Sequence, residues 1–425
     1  MLIHRAQFDA ACEALAAVLK FEQPADAVLR RYFRDHLRLG SNDKGFIADA
    51  VFGVVRRKRF LDALVAGPAP RRLLLAYFAR VAGANARELE AAVTPAEVAW
   101  FADIKARKTG ALPLGVEADL PDWVVGGLRA QMSDEEILAL GRALQQPAPL
   151  DLRVNTLRGD RDAVLRELAA SGIPCTATPY SPVGIRARGH PAINRHPLFL
   201  NGTVEVQDEG SQLLAYLVEP TRHDLVVDFC AGAGGKSLHL GALMRSRGRV
   251  YAFDVAAARL ARLKPRLKRS GLSNLHPQLI AGENDARIKR LAGKTDRVLV
   301  DAPCSGLGTL RRNPDLKWRQ SPQSVIELRS KQTAILSAAA RLLKSRGRLV
   351  YATCSLLAEE NQEVVSQFLA AHPNFATVGC SDILLRQRIP LDTGPFLQLL
   401  PHRHGTDGFF AAVLELRPQQ PADTG

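Results

Sequence analysis

The sequence predicts an α/β protein built around a doubly wound, mostly parallel sheet, preceded by a small α/β unit and an all-helical region. Three observations support this fold class. After residue 222, near-continuous apolar strands alternate with amphipathic helices, which is typical of a parallel sheet covered on both faces. Between about residues 150 and 218, short strands alternate with helical segments. The first 140 or so residues carry helical periodicity almost throughout.

Residues 1–144 are predicted to form a helical domain, because apolar residues recur at helical spacing in several segments that turn signals such as LGSNDKG and VAGPAP separate. Residues 145–220 are predicted to form a small α/β subdomain. Within it, LDLRVNT has the pattern of a strand, and DRDAVLRELAASG that of an amphipathic helix ending at glycine. The proline-containing stretch QQPAPLDL links the two regions.

Residues 221–418 are predicted to form the doubly wound, Rossmann-like domain, and residues 419–425 a disordered tail. In such a sheet, ligands bind in the crevice at the carboxyl ends of the strands. The polar residues just after each strand are therefore the candidates for a functional site. The predicted strands are 224–229, 248–254, 276–282, 296–303, 347–355 and 408–416.

Hydrophobic residues make up 47% and charged residues 24% of the 425-residue chain, an ordinary globular composition. No apolar run approaches the roughly 20 residues that span a bilayer, and no signal peptide is evident, so we expect a cytoplasmic protein that binds no membrane. The formal net charge is +14. Clustering of the basic residues favours a nucleic acid partner over a merely basic surface. The basic runs are 30–38, 54–60, 259–269 and 309–319.

The cysteines are scattered without a CxxC pair, so neither structural zinc nor a disulfide framework is supported, and we expect no metal site. Most free cysteines are small buried hydrophobes, and a chemical role needs a local argument. The six cysteines are Cys12, Cys175, Cys230, Cys304, Cys354 and Cys380.

The stretch DFCAGAGGKS, residues 228–237, resembles a phosphate-binding loop at first sight. A Walker loop needs a glycine, four intervening residues and then Gly-Lys-Ser, and Cys230 occupies the position of that first glycine. The dinucleotide fingerprint G-x-G-x-x-G does not match either, because Ser237 occupies the position of its third glycine. A nucleotide-dependent ATPase or dehydrogenase is therefore disfavoured.

Acidic residues after the next strands favour a nucleoside ligand without phosphates. Asp254 follows the second predicted strand, 22 residues after Gly232, where a carboxylate accepts ribose hydroxyls. Asp285 follows the third strand, where an adenine amine would lie. S-adenosylmethionine is such a ligand, and the glycines would give its methionine end close access to the backbone. For any one of these aspartates, a helix cap is the alternative.

Two cysteines follow neighbouring strands and should face the same crevice. Asp301 and Cys304 follow the fourth strand, and Cys354 follows the fifth. A thiol, an aspartate and a methyl donor suit methylation at C5 of cytosine, because addition of a thiolate to C6 turns C5 into a nucleophile. Asp301, protonated or bridged to N3, would stabilise the charge that develops on the ring.

Three motifs closely resemble the Nol–Nop–Sun family of RNA (cytosine-5) methyltransferases: DFCAGAGGKS, DAPCSGLGTLRRNPDLKW and YATCSLLAEENQEVV. The resemblance covers at least residues 150–416. The helical start is similar to the NusB-like RNA-binding domain of the bacterial ribosomal-RNA members. The resemblance implies RNA as partner, with 16S ribosomal RNA favoured over transfer RNA, and we expect a monomer.

The resemblance also implies roles for single residues. Cys354 would be the nucleophile, and Cys304 would assist breakdown of the adduct. The small subdomain, with Arg153 and Asn155 on its first strand, would grip RNA. One departure is visible, since Gly232-Ala233 stands where the family usually has Ala-Pro. The implied cofactor-binding residues are Cys230, Ala231, Gly232, Ala233, Gly234, Gly235, Lys236, Asp254, Asp285 and Asp301.

A catalytically inactive RNA-binding or ribosome-assembly factor with the same fold is the alternative function. The basic runs and the helical region would suit such a scaffold equally well. Presence of both Cys304 and Cys354 argues against it, because a scaffold needs neither thiol.

Overall fold

The computed structural model describes residues 2–65, 67 and 69–418, which fall into two compact units. The first unit contains the residues up to Pro147 together with the segment Thr309–Pro322. The second contains Ala148–Gly308 and the residues from Gln323 onward. Within the described part of the chain, no helix is long and apolar enough to cross a membrane. The predicted tail, 419–425, lies outside the described residues.

The first unit is helical, and its helices pack around one apolar core. Local signals set the helix starts: Thr94 caps the helix that begins at Pro95, and its backbone N–H donates to Glu97 Oε2 in a capping box. The helices are α1 (Arg5–Val18), α2 (Ala25–Asp35), α3 (Ser41–Arg56), α4 (Lys58–Leu64), α5 (Pro70–Arg80), α6 (Ala86–Leu89), α7 (Pro95–Ala106), α8 (Leu114–Glu117), α9 (Asp122–Arg129) and α10 (Asp134–Leu144).

The second unit begins with a small antiparallel sheet of strand order β2-β3-β1-β4. One face packs against a helix through an apolar cluster that includes Leu152, Ile185 and Leu168. The elements are β1 (Leu150–Val154), α11 (Arg161–Ala170), β2 (Cys175–Ala177), β3 (Gly184–Ala187), α12 (Pro197–Leu200), β4 (Val204–Val206) and α13 (Glu209–Val218).

A larger sheet of order β10-β12-β9-β8-β5-β6-β7 follows, with β11 paired to β12. Its strands and helices are β5 (Leu225–Asp228), α14 (Gly235–Leu243), β6 (Arg249–Asp254), α15 (Ala257–Ser270), β7 (Leu275–Leu279), α16 (Ala286–Lys289), β8 (Thr295–Asp301), α17 (Leu316–Arg319), α18 (Pro322–Ala340), β9 (Leu343–Thr353), α19 (Gln362–Ala371), β10 (Phe375–Val378), α20 (Cys380–Arg386), β11 (Leu397–Leu399), α21 (Pro401–His404) and β12 (Phe409–Leu416).

The strands from β5 to β9 pair in parallel, whereas β12 is antiparallel to its neighbours. The doubly wound, mostly parallel sheet predicted from the sequence is therefore confirmed. The strand order reverses between β5 and β8, because β6 and β7 lie on one side of β5 and β8 and β9 on the other. The loops that follow β5 and β8 diverge at this point and leave a crevice, as in other sheets of this type.

The compact units differ from the predicted domains in two respects. The predicted subdomain 145–220 shares one unit with the large sheet, because α13 is buried except for Ser211 and adds Leu213 and Leu217 to a core cluster of that sheet. The segment Thr309–Pro322, predicted to lie within the domain 221–418, folds instead with the helical unit.

Side chains of this segment are anchored in the helical unit. Lys317 Nζ, which is buried, donates to the carbonyl oxygens of Arg56 (2.8 Å) and Asp119 (2.6 Å). Trp318 Nε1 donates to the carbonyl oxygen of Val55 at 3.0 Å, and Asp315 Oδ2 accepts from the backbone N–H of Ala25 at the start of α2. Burial lowers the pKa of Lys317 to about 8. The basic run 309–319 is thus partly structural.

Candidate active site

A cavity of about 740 Å³ opens at the point where the strand order of the large sheet reverses. Most of the residues predicted from the sequence line it, although they come from four separate loops. The glycine loop contributes Cys230, Ala231, Gly232, Ala233, Gly235 and Lys236, and the other strand ends contribute Asp254, Asp301, Cys304 and Cys354.

The glycine loop turns sharply between β5 and α14. Gly232 and Gly234 have φ angles of 57° and 78°, in the left-handed region that favours glycine. A side chain at Gly234 would also lie 2.1 Å from Leu263 Cδ1, so this glycine serves packing and does not line the cavity. At Gly232, the positive φ is a conformation that an alanine would adopt only with strain.

Asp254 lies at the end of β6 and holds the glycine loop. It is buried, and its Oδ2 accepts from the backbone N–H of Gly232 at 2.8 Å, while Oδ1 accepts from Ala256 at 2.7 Å. A carboxylate at this place beside the cavity suits recognition of ribose hydroxyls.

Lys236 and Asp301 form an ion pair in the cavity wall, with 2.6 Å between Nζ and Oδ2. Burial by itself lowers the pKa of Lys236, but the charge and hydrogen bond of Asp301 outweigh it, and the pKa is raised. Lys236 therefore remains a cation that keeps Asp301 oriented at the cavity.

The two thiols meet at the ends of β8 and β9. Their Sγ atoms are 3.4 Å apart, and the backbone N–H of Cys354 points at the Sγ of Cys304 at 3.3 Å. The hydrogen bond with Cys354, together with burial, raises the pKa of Cys304 well above its ordinary value. Cys304 is thus held as a protonated thiol beside Cys354.

Two buried acidic residues near the site were not singled out from the sequence. Asp228 ends β5, and burial raises its pKa to about 7. Its Oδ2 accepts from Ser237 Oγ at 2.6 Å, which explains the serine at the position of the third fingerprint glycine. Glu360 lies beneath both thiol loops. An acidic residue directly after an apolar strand was the available signal for Asp228.

Asp285, like Gly234, is a predicted cofactor-binding residue that does not line the cavity. Its Oδ1 accepts from the backbone N–H of Arg287 at 2.8 Å and its Oδ2 from Ala281 at 2.9 Å. These backbone bonds lower the pKa of Asp285, which caps the short helix α16. Gly282 and Glu283 line the cavity in this region instead. The alternative of a helix cap describes the position of Asp285.

Arg153 and Asn155, predicted to grip RNA, are buried and bonded within the protein. Arg153 Nη1 donates to Gln207 Oε1 at 2.5 Å and to the carbonyl oxygen of Gly235 at 2.6 Å. Asn155 Nδ2 donates to the carbonyl oxygen of Ser270 at 2.9 Å. The prediction of RNA contacts is therefore wrong for these two side chains, because β1 turns them toward the large sheet.

A second arginine holds the glycine loop from α15. Arg266 Nη1 donates to the carbonyl oxygen of Ala233 at 2.7 Å, and the guanidinium pairs with the buried carboxylate of Glu205 at 2.9 Å. The guanidinium groups of Arg153 and Arg266 therefore hold two carbonyl groups of the glycine loop, those of Gly235 and Ala233. In the part of the chain that the structure describes, no group of three His, Cys, Asp or Glu side chains is arranged to hold a metal ion.

Comparison with known proteins agrees with this geometry. A model of the family described as 16S rRNA methyltransferase RsmB/F matches residues 215–415, and a model of the ferredoxin-like domain of these proteins matches residues 120–194. The second match begins before the predicted boundary at residue 145.

Relatives match over nearly the whole chain. A ribosomal RNA small subunit methyltransferase B of Pseudomonas putida is 32% identical over 95% of this chain and 97% of its own length. A protein of Synechocystis named as the same enzyme is 32% identical over 92% of this chain and 95% of its own. The crystal structure of PH0851 has a TM-score of 0.81 at 26% identity and covers 98% of this chain and 99% of its own. The chain therefore belongs to the RsmB/F family and is an S-adenosylmethionine-dependent methyltransferase of ribosomal RNA.

Proposed function

We propose that the enzyme methylates C5 of a cytosine in 16S ribosomal RNA through a covalent adduct between Cys354 and C6 of the base. The observation that carries this proposal is the pair of thiols, 3.4 Å apart in the wall of the cofactor cavity. A methyltransferase that attacks an exocyclic nitrogen or a ribose oxygen has no use for two adjacent thiols. A catalytically inactive assembly factor has no use for them either.

The proposed reaction starts with the Cys354 thiolate, which adds to C6 and makes C5 nucleophilic. S-adenosylmethionine supplies the electrophilic methyl group at this site. Asp301, oriented by Lys236, shares a proton with N3 and so neutralises the negative charge that develops on the ring. As the C5–methyl bond forms, the bond between the methyl group and the sulfonium breaks, and the demethylated donor leaves as a neutral thioether. The C5 proton then passes to solvent, the C6–sulfur bond breaks, and Cys354 departs as a thiolate. Cys304 assists this last stage.

The proposed cofactor contacts are the backbone of Cys230–Ala233, Gly235 and Lys236 and the carboxylates of Asp254 and Asp301. Asp254 faces the ribose, and the glycine loop faces the methionine end. The positions of these groups around one cavity support the assignment. Asp285 caps a helix, and we propose that Glu283 or Gly282 contacts the ligand there instead.

Trapping the adduct tests the chemistry. The Cys304→Ala variant, incubated with S-adenosylmethionine and bulk cellular RNA, should give a slowly migrating, nuclease-sensitive species on denaturing electrophoresis. Replacing Cys354 by alanine in the same background should abolish this species while cofactor binding persists. Sequencing the trapped RNA would identify the target. If no such species forms although cofactor and RNA both bind, the covalent mechanism is wrong.

The predictions about domain roles, oligomeric state and location in the cell are proposals as well. We propose that residues 1–144 form a NusB-like RNA-binding domain, that residues 145–220 also bind RNA and that residues 221–418 perform the chemistry. We also propose that the enzyme is a monomer that acts in the cytoplasm. Crosslinking to RNA followed by mass spectrometry tests the first assignments, and light scattering in solution tests the monomer.

A further inference from the structure

A buried carboxylate lies between the two loops that carry the thiols. Glu360, in the turn that follows Cys354, is 0% exposed. Its Oε1 accepts from the backbone N–H of Ser305 at 2.9 Å, and its Oε2 accepts from Ser355 Oγ at 2.5 Å. Ser305 directly follows Cys304 in the sequence, and Ser355 directly follows Cys354. One carboxylate therefore bridges both loops.

Glu360 is held by neutral donors. Gln332 Nε2, from α18, donates to Oε1 at 3.0 Å, so three neutral groups, of Ser305, Ser355 and Gln332, bond to the carboxylate. Burial of a carboxylate without a cation costs free energy, and hydrogen bonds offset only part of that cost. Glu360 thus stabilises the fold less than its burial suggests, which favours a role in the site.

The sheet alone does not fix the spacing of the thiols. The paired register of β8 and β9 ends at Asp301 and Ala352, so Cys304 lies three residues beyond its last paired residue. Beyond this point the loops are joined by side-chain and loop contacts. Ser305 Oγ and Ser355 Oγ are 3.1 Å apart beside the carboxylate, and the backbone N–H of Gly308 donates to the carbonyl oxygen of Cys354 at 2.8 Å.

Each loop also has a support that does not involve the Glu360 side chain. In the Cys304 loop, Gln332 Nε2 donates to the carbonyl oxygen of Pro303 at 2.9 Å. In the Cys354 loop, Asn361 accepts from Thr353 Oγ1 at 2.5 Å and donates to the carbonyl oxygen of Ser355 at 3.1 Å. Loss of the Glu360 carboxylate would leave these bonds in place. The Cys304 loop would lose the acceptor of its Ser305 N–H, and this loop would shift.

We propose that Glu360 is a positioning residue that holds the Cys304 loop against the Cys354 loop, so that it governs breakdown of the covalent adduct more than its formation. This inference rests on the proposed covalent mechanism. Without the bridge, Cys354 still reaches C6 of the base, but Cys304 no longer lies beside the adduct. We therefore expect the adduct to accumulate, as we also expect when the Cys304 thiol itself is removed.

The test compares Glu360→Gln and Glu360→Ala with the control Glu363→Gln. Glu363 lies on α19, is exposed and pairs with Arg329 at 2.8 Å, so its neutralisation should change nothing at the thiols. Glutamine keeps an acceptor for Ser305 but cannot accept from Ser355. We expect turnover to fall by about 10-fold for the glutamine variant and about 100-fold for the alanine variant, since misplacement of a reacting group by about 1 Å costs this much.

The decisive readout is the ratio of adduct to turnover. The fraction of enzyme trapped on RNA should rise in both Glu360 variants, while the Kd for S-adenosylmethionine, measured by calorimetry, stays within about twofold of the wild type. If the adduct and turnover decline together, Glu360 supports the fold or Cys354 and the inference is wrong. Unchanged turnover also overturns it. No adduct even with Cys304→Ala would instead refute the covalent mechanism.

A measurement without RNA guards against a variant that folds poorly. Phenylarsine oxide binds tightly only where two thiols are close enough to coordinate one arsenic atom. The wild type should bind it through Cys304 and Cys354, and Cys304→Ala should not. Glu360→Gln, shown to be folded by its thermal transition, should bind it at least several-fold more weakly. Undiminished binding would mean that the thiol spacing does not depend on Glu360.

Discussion

Arg153 is one of the largest fully buried side chains, and its guanidinium donates a hydrogen bond to the backbone carbonyl oxygen of Gly235 in the glycine loop. Because Gly235 opens α14, a guanidinium on its carbonyl oxygen orients the loop before the cofactor binds. We predict that Arg153→Met weakens S-adenosylmethionine binding by about 10-fold or more, since a charge-assisted hydrogen bond contributes about 1.5–3 kcal/mol. Isothermal titration calorimetry measures this directly.

The same variant separates a cofactor role from an RNA role. Arg188 is an exposed arginine of the same small subdomain, and Arg188→Met provides the matched control. RNA affinity should fall no further for Arg153→Met than for this control. A variant that bound the cofactor normally but RNA poorly would restore the RNA contact expected from the sequence and contradict the buried geometry.

Helices α5 and α7 are joined by a bidentate ion pair between Arg71 and Glu97, with 2.5 Å between Nε and Oε1. The hydrogen bond from Arg71 lowers the pKa of Glu97 to about 2, against about 4.3 in an unfolded chain. A carboxyl whose folded pKa is lowered stabilises the fold above its unfolded pKa, and this stability is lost as the pH falls toward the folded pKa. We predict that Glu97→Gln costs about 1 kcal/mol at pH 7 and almost nothing near pH 2.

Tryptophan fluorescence isolates this effect from the rest of the molecule. All three tryptophans, Trp100, Trp123 and Trp318, belong to the helical unit, so their emission follows the unfolding of that unit. Urea titrations of wild type and Glu97→Gln between pH 7 and pH 2.5 should converge as the pH falls. Glu90→Gln, an exposed carboxylate in the same region, should track the wild type throughout. A difference that is constant with pH would mean that the ion pair does not set the pKa of Glu97.

Elements with strong periodicity could be predicted from the sequence, and contacts between distant side chains could not. The apolar runs that became β5, β6 and β8 are buried on both faces, so burial alone dictated their pattern. The run 309–319 has the composition of a basic surface, yet Lys317 and Trp318 bond to carbonyl groups that only the folded helical unit presents. The composition of this segment shows that it is basic, but not which groups its basic side chains bond to.

The site divides in the same way. Residues at strand ends, such as Asp254, Asp301 and Cys354, were predictable because parallel strands bring their carboxyl ends together. The role of Asp285 was not predictable, because a carboxylate after a strand can equally cap the helix that follows. In the structure the backbone N–H of Arg287 donates to this carboxylate. Glu360 carries no sequence signal for its bridge, which depends on the close approach of two loops.

At the scale of the whole molecule, the net charge of +14 is the property that bears on RNA. Some of the basic side chains form ion pairs within the protein. In the run 259–269, Arg266 Nη2 lies 2.9 Å from Glu205 Oε2, and Arg269 Nη2 lies 2.7 Å from Glu205 Oε1. Arg259 and Arg262 of the same run are exposed and line the cavity, where they can contact phosphates of a bound RNA. The charge available to RNA is therefore smaller than the basic runs suggest, and two exposed arginines of this run line the cavity.

We therefore predict RNA binding that weakens steeply with salt. For about six phosphate contacts, the affinity should fall roughly 1,000-fold between 50 and 200 mM salt, because each contact releases condensed counterions. Fluorescence anisotropy with a labelled fragment of 16S ribosomal RNA measures the slope. Arg262→Gln should make the slope shallower by about one contact, whereas the control Arg346→Gln, an exposed arginine at the end of β9 opposite to Cys354, should leave it unchanged. A slope near zero would mean that the positive charge of this enzyme serves something other than RNA.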